Sequence, residues 1–149
     1  MTAEPHPNLV KAQQTWDAVG RGEFGDPDDF AEGMVVDNGP GAGPWQHLEG
    51  RDAFFEFVLT FVPYFRDTWH QEGTCLYADD RSTISIVHET GEAPDGDPFD
   101  NMAIWVSRLD ADGKTERIWT VDLDEDHVTA FWDRHRSELS GQPSAPPRP

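Results

Sequence analysis

His88 and Asp122 are the side chains whose types carry the most chemistry. An imidazole titrates near neutral pH, and a carboxylate beside it can exchange the second proton, so the two together form a general acid–base pair. Burial would raise the Asp122 pKa, and a nearby imidazolium would lower it. His88 is isolated on its segment, because its alternate neighbours Ile84 and Ile86 are apolar. The plain reading of His88 is a packed histidine bonded to backbone. That of Asp122 is a turn or cap residue beside Asp124 and Asp126. Asn38 is the third candidate, with an amide able to donate to an oxygen that becomes an enolate or alkoxide. Its plain role is a turn before Gly39. Trp105 offers an indole N–H and a flat wall for a ring, or simply core. Asn101 offers an amide, or a hydrogen bond at a strand start. Trp45 and His47 lie on a Gly- and Pro-rich loop that is either a cover for a pocket or plain packing. The histidines show no H-x-H or H-x-x-E-H spacing, and no glycine-rich nucleotide loop appears, so no metal and no cofactor is expected.

The composition narrows the partners. The 149 residues suffice for one domain with a core. With 29 acidic against 11 basic side chains, the formal charge is -18. Such a field repels phosphate backbones and anionic lipid, so neither nucleic acid nor a membrane is an expected partner. The start, MTAEPHP, has no apolar signal region, and no apolar run nears the ~20 residues that span a bilayer. The one cysteine, Cys75, excludes an internal disulfide. A cytoplasmic location is the expectation.

The elements that must position these residues centre on residues 97–124. Two apolar runs, 99–109 and 115–123, flank Asp110-Ala111-Asp112-Gly113, a strong hairpin signal. Both alternating sets of the first run are apolar, so both faces should be covered. Upstream, Asn8 is placed as the cap of a helix to Val19, with Leu9, Ala12, Trp16 and Val19 on one face. Asp26 or Asp28 is expected to cap a short second helix through Ala31. Residues 34–38 read as a strand stopped by Gly39-Pro40-Gly41. A core helix from Arg51 to Val62 presents Phe54, Phe57, Val58 and Phe61, and Pro63 should end it. Long strands over 68–77 and 82–92 follow. The second alternates Ile84, Ile86 and His88 against Ser85, Val87 and Glu89. Asp124, Glu125 and Asp126 precede a last helix to about His135. The expected organisation is an arm over 1–7, one domain over 8–136 and a Pro-rich disordered tail over 137–149. Helices first and antiparallel strands after argue an α+β fold.

This order, with MVVDNGPGAGP, LEGRDAFFEF, DDRSTISIVHETGEAPDGDPFDNMAIWVSRLDADGK and ERIWTVDLDEDHVTAFW in place, resembles the nuclear transport factor 2-like fold. Within it the chain is most similar to the SnoaL-like polyketide cyclase branch. The resemblance implies a cone-shaped, curved antiparallel sheet wrapped around helices, with an apolar pocket inside. It places Val36 and Asn38 inward, with Ile84, Ile86 and His88. Asn101, Ala103 and Trp105 follow from the next strand, and Ile118, Thr120 and Asp122 from the last. Trp16, Phe54, Phe57 and Phe61 would close the pocket from the helix side. The steroid-isomerase branch has acids where this chain has Asn38 and Trp105. The limonene-epoxide-hydrolase site falls on Ile86, His88 and Thr120, and only Asn38 matches it. SnoaL-like cyclases use an aspartate near the end of the last strand, where Asp122 comes nearest.

The resulting expectation is a cofactor-independent cyclase or isomerase for an apolar, polyketide-type intermediate. His88 and Asp122 would exchange protons, with Asn38 and Trp105 holding an oxygen. Ring closure by epoxide opening and an epoxide hydrolase are neighbouring alternatives. A non-catalytic ligand-binding or dimerisation domain is the alternative of another class. A homodimer is implied by the family and by the apolar row Met102, Ile104, Val106, Trp119 and Val121.

Overall fold

The computed structural model describes residues 4–39, 42 and 45–140. The expected arm and tail lie partly outside that range, as do residues 40, 41, 43 and 44 of the glycine-rich loop. Helix α1 spans Pro7–Gly20. Its cap is His6, whose Nδ1 accepts from the Asn8 N–H at 3.1 Å, and not Asn8 itself. Pro7 accounts for the shift, since proline suits the first helical turn, where its missing N–H is not needed. The Asn8 side chain instead donates to the Asp79 carbonyl. Asp26 caps a single 3-10 turn, Pro27–Asp29, and the chain is extended from Phe30 onward, so the expected second helix is only that turn.

Strand β1 is Phe30–Asp37 and β2 is His47–Glu49. Helix α2 runs Arg51–Tyr64 and carries Pro63 inside its last turn. After the 3-10 turn Arg66–Thr68 come β3, His70–Ala78; β4, Ser82–Glu92; β5, Pro98–Leu109; and β6, Thr115–Asp122. Helix α3, Glu125–Ser140, continues past His135, and buried Leu139 explains why: the added turn still has core to cover.

The six strands form one open sheet in the order β2-β1-β6-β5-β4-β3. It is mixed rather than wholly antiparallel, because β1 pairs with β6 in parallel. Hairpins fix the direction of β3 to β6, whereas β1 reaches its partner across most of the chain and no local turn dictates its sense. Helix α1 packs on β3, α2 on β1 and α3 on β5. The core is aromatic: Phe65, Phe99, Phe131 and Trp132 are buried, and Phe61 touches all of them but Phe131. Glycines admit two of the rings. A Cβ at Gly73 would lie 2.3 Å from Trp16, and one at Gly91 would lie 2.7 Å from Phe65.

Candidate functional site

Side chains of all three helices and of the sheet enclose a cavity of about 240 Å³. Its walls include Trp16 from α1, Phe54, Phe57 and Phe61 from α2, and Trp45 from the loop before β2. Phe99, Asn101, Ala103 and Trp105 of β5 form the sheet side, with Ile118, Thr120 and Asp122 of β6. Trp16 meets Trp105 edge to face at 5.2 Å, and Trp45 packs on Phe57 at 5.3 Å. Lys11 and Asp29, 3.7 Å apart and half exposed, line the outer end.

The fourth strand is placed differently from the expectation. Directly opposed residues of an antiparallel pair share a face. Glu89 opposes Asn101, Val87 opposes Ala103 and Ser85 opposes Trp105. The cavity is therefore lined by Thr83, Ser85 and Glu89, while Ile84, Ile86 and His88 lie on the other face and do not line it. His88 bonds Asp100 across that face, Nε2 to Oδ1 at 2.7 Å. His88 and Asp122 are not brought together; Glu89 takes the position expected of the histidine. Val36, also expected inward, is 1% exposed and belongs to the packed core.

Glu89 and Asp122 are joined through one amide. Asn101 Nδ2 donates to Glu89 Oε1 at 3.1 Å and to Asp122 Oδ1 at 2.9 Å. Gln71 of β3 donates to the second Glu89 oxygen, Oε2, at 2.8 Å. Burial pushes the Glu89 carboxyl up to about 7, and the Asp122 charge adds to the rise, against the donated bonds of Asn101 and Gln71 and the charge of His88. Burial also raises Asp122, with Asn101 opposing. Gly39 leaves room for this group, since a Cβ there would lie 2.9 Å from Asp122 Oδ2.

Asn38 lines the cavity but its amide is engaged. It donates to the Trp45 carbonyl at 2.8 Å and accepts from the Thr120 hydroxyl at 2.9 Å, so it ties the loop to β6. The indole N–H groups of Trp69 and Trp105 and the Asn101 Oδ1 are buried without partners. His47, expected on that loop, is the first residue of β2 and lies at the surface between Asp37 and Glu49. Among the described residues no group of three or more His, Cys, Asp or Glu is placed to hold a metal ion. No helix among them is long and apolar enough to cross a membrane. Glu89 and Gln71 were missed in the sequence because a glutamate and a glutamine on a strand read as solvent-facing; pairing them with Asn101 was the available signal.

Three helices on an open, mixed six-strand sheet with a cavity between them define the nuclear transport factor 2-like fold. Bal32a, from a soil-derived mobile gene cassette, matches over 84% of this chain and 95% of its own, with a TM-score of 0.70 and 20% identity. A Jannaschia sp. CCS1 protein, provisionally named a SnoaL-like polyketide cyclase, matches over 98% and 100%, with a TM-score of 0.61 and 15% identity. TerC, co-crystallised with polyporic acid, matches over 86% and 97%, with a TM-score of 0.64 and 12% identity. No protein-family model matches the chain, and no curated protein matches its sequence.

Proposed function

We propose that this protein is a cofactor-independent small-molecule enzyme that moves protons between Glu89, Asp122 and an apolar substrate. The observation that carries this reading is the pair of inward carboxylates sharing the Asn101 amide at one end of an aromatic cavity. A carboxyl raised to about 7 is part protonated at neutral pH and serves as a general acid. Asp122, with fewer amide contacts, is the base. Asn101 and Gln71 hold the acid in place. A proton taken from carbon or hydroxyl by Asp122 and one returned by Glu89 amount to an isomerisation or a ring closure. Epoxide opening uses the same pair. The likeness to a provisionally named polyketide cyclase supports a polyketide-type substrate.

The size is that of a two-ring molecule, since a cavity of about 150 Å³ holds a benzene and this one has about 240 Å³. The test is deuterium uptake. A panel of bicyclic ketones is incubated in heavy water with the protein and followed by NMR. Uptake beside the carbonyl is expected, with loss in Glu89→Gln and Asp122→Asn and no loss in His88→Ala. Ligand binding without uptake would favour the non-catalytic binding domain, a reading that the amide-capped oxygens of Glu89 support.

We further propose a cytoplasmic homodimer, the assembly resting on the outer sheet face. Ile84, Ile86, Met102, Ile104 and Val106 form a half-buried apolar face on the sheet side opposite the cavity, and Val121 is 54% exposed there. Light scattering at micromolar concentration should give twice the chain mass; the single-chain mass would refute it.

A further inference from the structure

The inner end of the cavity is rich in acceptors and poor in positive charge. Among the described lining residues Lys11 is the one Lys, Arg or His, and it lies at the outer end beside Asp29. Glu89 and Asp122 face the inner end, and the imidazole nearest Glu89 in sequence, His88, is on the far face of the sheet with Asp100. Asn101 is 2% exposed and gives its Nδ2 hydrogens to the two carboxylates, and its Oδ1 has no partner. A buried carbonyl oxygen without a donor is costly and marks a place where a donor belongs. The surrounding walls are the rings of Trp16, Trp45, Trp105, Phe57 and Phe61. Aromatic faces carry negative charge density and attract cations.

A carboxylate ligand would meet repulsion from Asp122 and, above about pH 7, from Glu89 as well. An alcohol brings one donor for three acceptors. A primary ammonium brings three donors and the missing positive charge. The geometry points to a hydrophobic primary amine of about two-ring size as the ligand, with its ammonium at the Glu89–Asp122 pair and its body between the tryptophans. This rests on reading the Glu89–Asp122 end as the working end of the cavity, and it names the class of molecule served: an apolar intermediate that carries a basic nitrogen.

The experiment is calorimetric titration of the full chain at pH 8 with naphthylethylamine, naphthylethanol and naphthylacetate. The amine should bind about tenfold or more tighter than the alcohol, the return of one charge-assisted contact. The acetate should not bind. At pH 7 the amine should release protons, because a cation favours ionised Glu89. In the Glu89→Gln/Asp122→Asn double variant, shown to be folded by its circular dichroism, the amine should bind no tighter than the alcohol. Alcohol binding as tight as amine binding overturns the proposal and leaves the acid–base reading standing. So does an amine preference that survives in the double variant, which would reflect the acidic surface alone. If none of the three binds, the amine is overturned and the reading of the cavity as a ligand site falls with it.

Discussion

Replacing Glu89 by glutamine should stabilise this protein, and more so as pH rises. A glutamate moved from its ordinary value near 4.5 to about 7 is protonated in the fold where the unfolded chain has already lost the proton. Between those values the folded state binds more protons, so stability falls as pH increases and levels off above about 7. At ~1.4 kcal/mol for each tenfold in proton affinity, ionised Glu89 costs the fold about 3 kcal/mol at pH 8. Roughly 2 kcal/mol of that develops between pH 5.5 and 8. Glu89 is half-buried rather than sealed, because the cavity reaches it, so water there makes these upper figures. Glutamine keeps the shape, and a flip of the Gln71 amide turns the 2.8 Å contact into a matched one. The assay is thermal unfolding followed by circular dichroism from pH 5.5, safely above the pI of about 4.4, to pH 8.5. The variant's advantage should grow by about 4 to 8 °C over that range. Two melting curves that stay parallel across the range would refute the assignment of a buried, raised carboxyl to Glu89.

Three other outcomes follow from the packing and charge. Gly73→Ala sets a Cβ 2.3 Å from Trp16, so the ring must leave its seat against β3; a loss of about 1–3 kcal/mol is expected from overpacking, read as a lower Tm and altered tryptophan fluorescence. His135 is buried and bonds Asp97 and Glu138 at 2.7 Å each; burial disfavours its charge, but the two carboxylates outweigh that and raise its pKa. Its contribution is therefore full below about pH 6.5 and lost as pH climbs through the higher folded value, so His135→Gln should cost about 2 kcal/mol at pH 6 and clearly less at pH 9 in denaturant titrations. His88→Ala should leave small-molecule affinity in the cavity unchanged, because the ring sits on the opposite face with Asp100; a loss above about threefold by calorimetry would put the histidine back at the site.

How far the site was legible in the sequence is decided by one turn. Helix periods, the Asp-Gly hairpin and the aromatic face of α2 all read directly, since each is a local pattern. So does the alternation of β5, where Asn101, Ala103 and Trp105 share a face. In β4 the usual rule of turning the apolar set inward points the wrong way. Its apolar set, Ile84 and Ile86, covers the outer face, and its mixed set lies on the inner one, where Thr83, Ser85 and Glu89 line the cavity and Val87 is packed. Both sheet faces are apolar in this protein, so polarity alone cannot choose between them. The turn can. Glu92 opposes Pro98, and the Ala93 N–H donates to the Asp97 carbonyl. That closure puts odd-numbered residues of β4 opposite odd-numbered residues of β5. An inward Asn101 therefore requires an inward Glu89, and placing His88 beside Asn101 demands a turn one residue longer or shorter. The parallel pairing of β1 with β6 was beyond such reasoning, because no local closure ties them. A buried carboxylate pair whose nearest cavity cation, Lys11, sits at the outer end lowers the stability of the empty fold, and Asn101 and Gln71 steady the two acids there. The proposed proton transfer to a bound molecule gives that loss of stability a use.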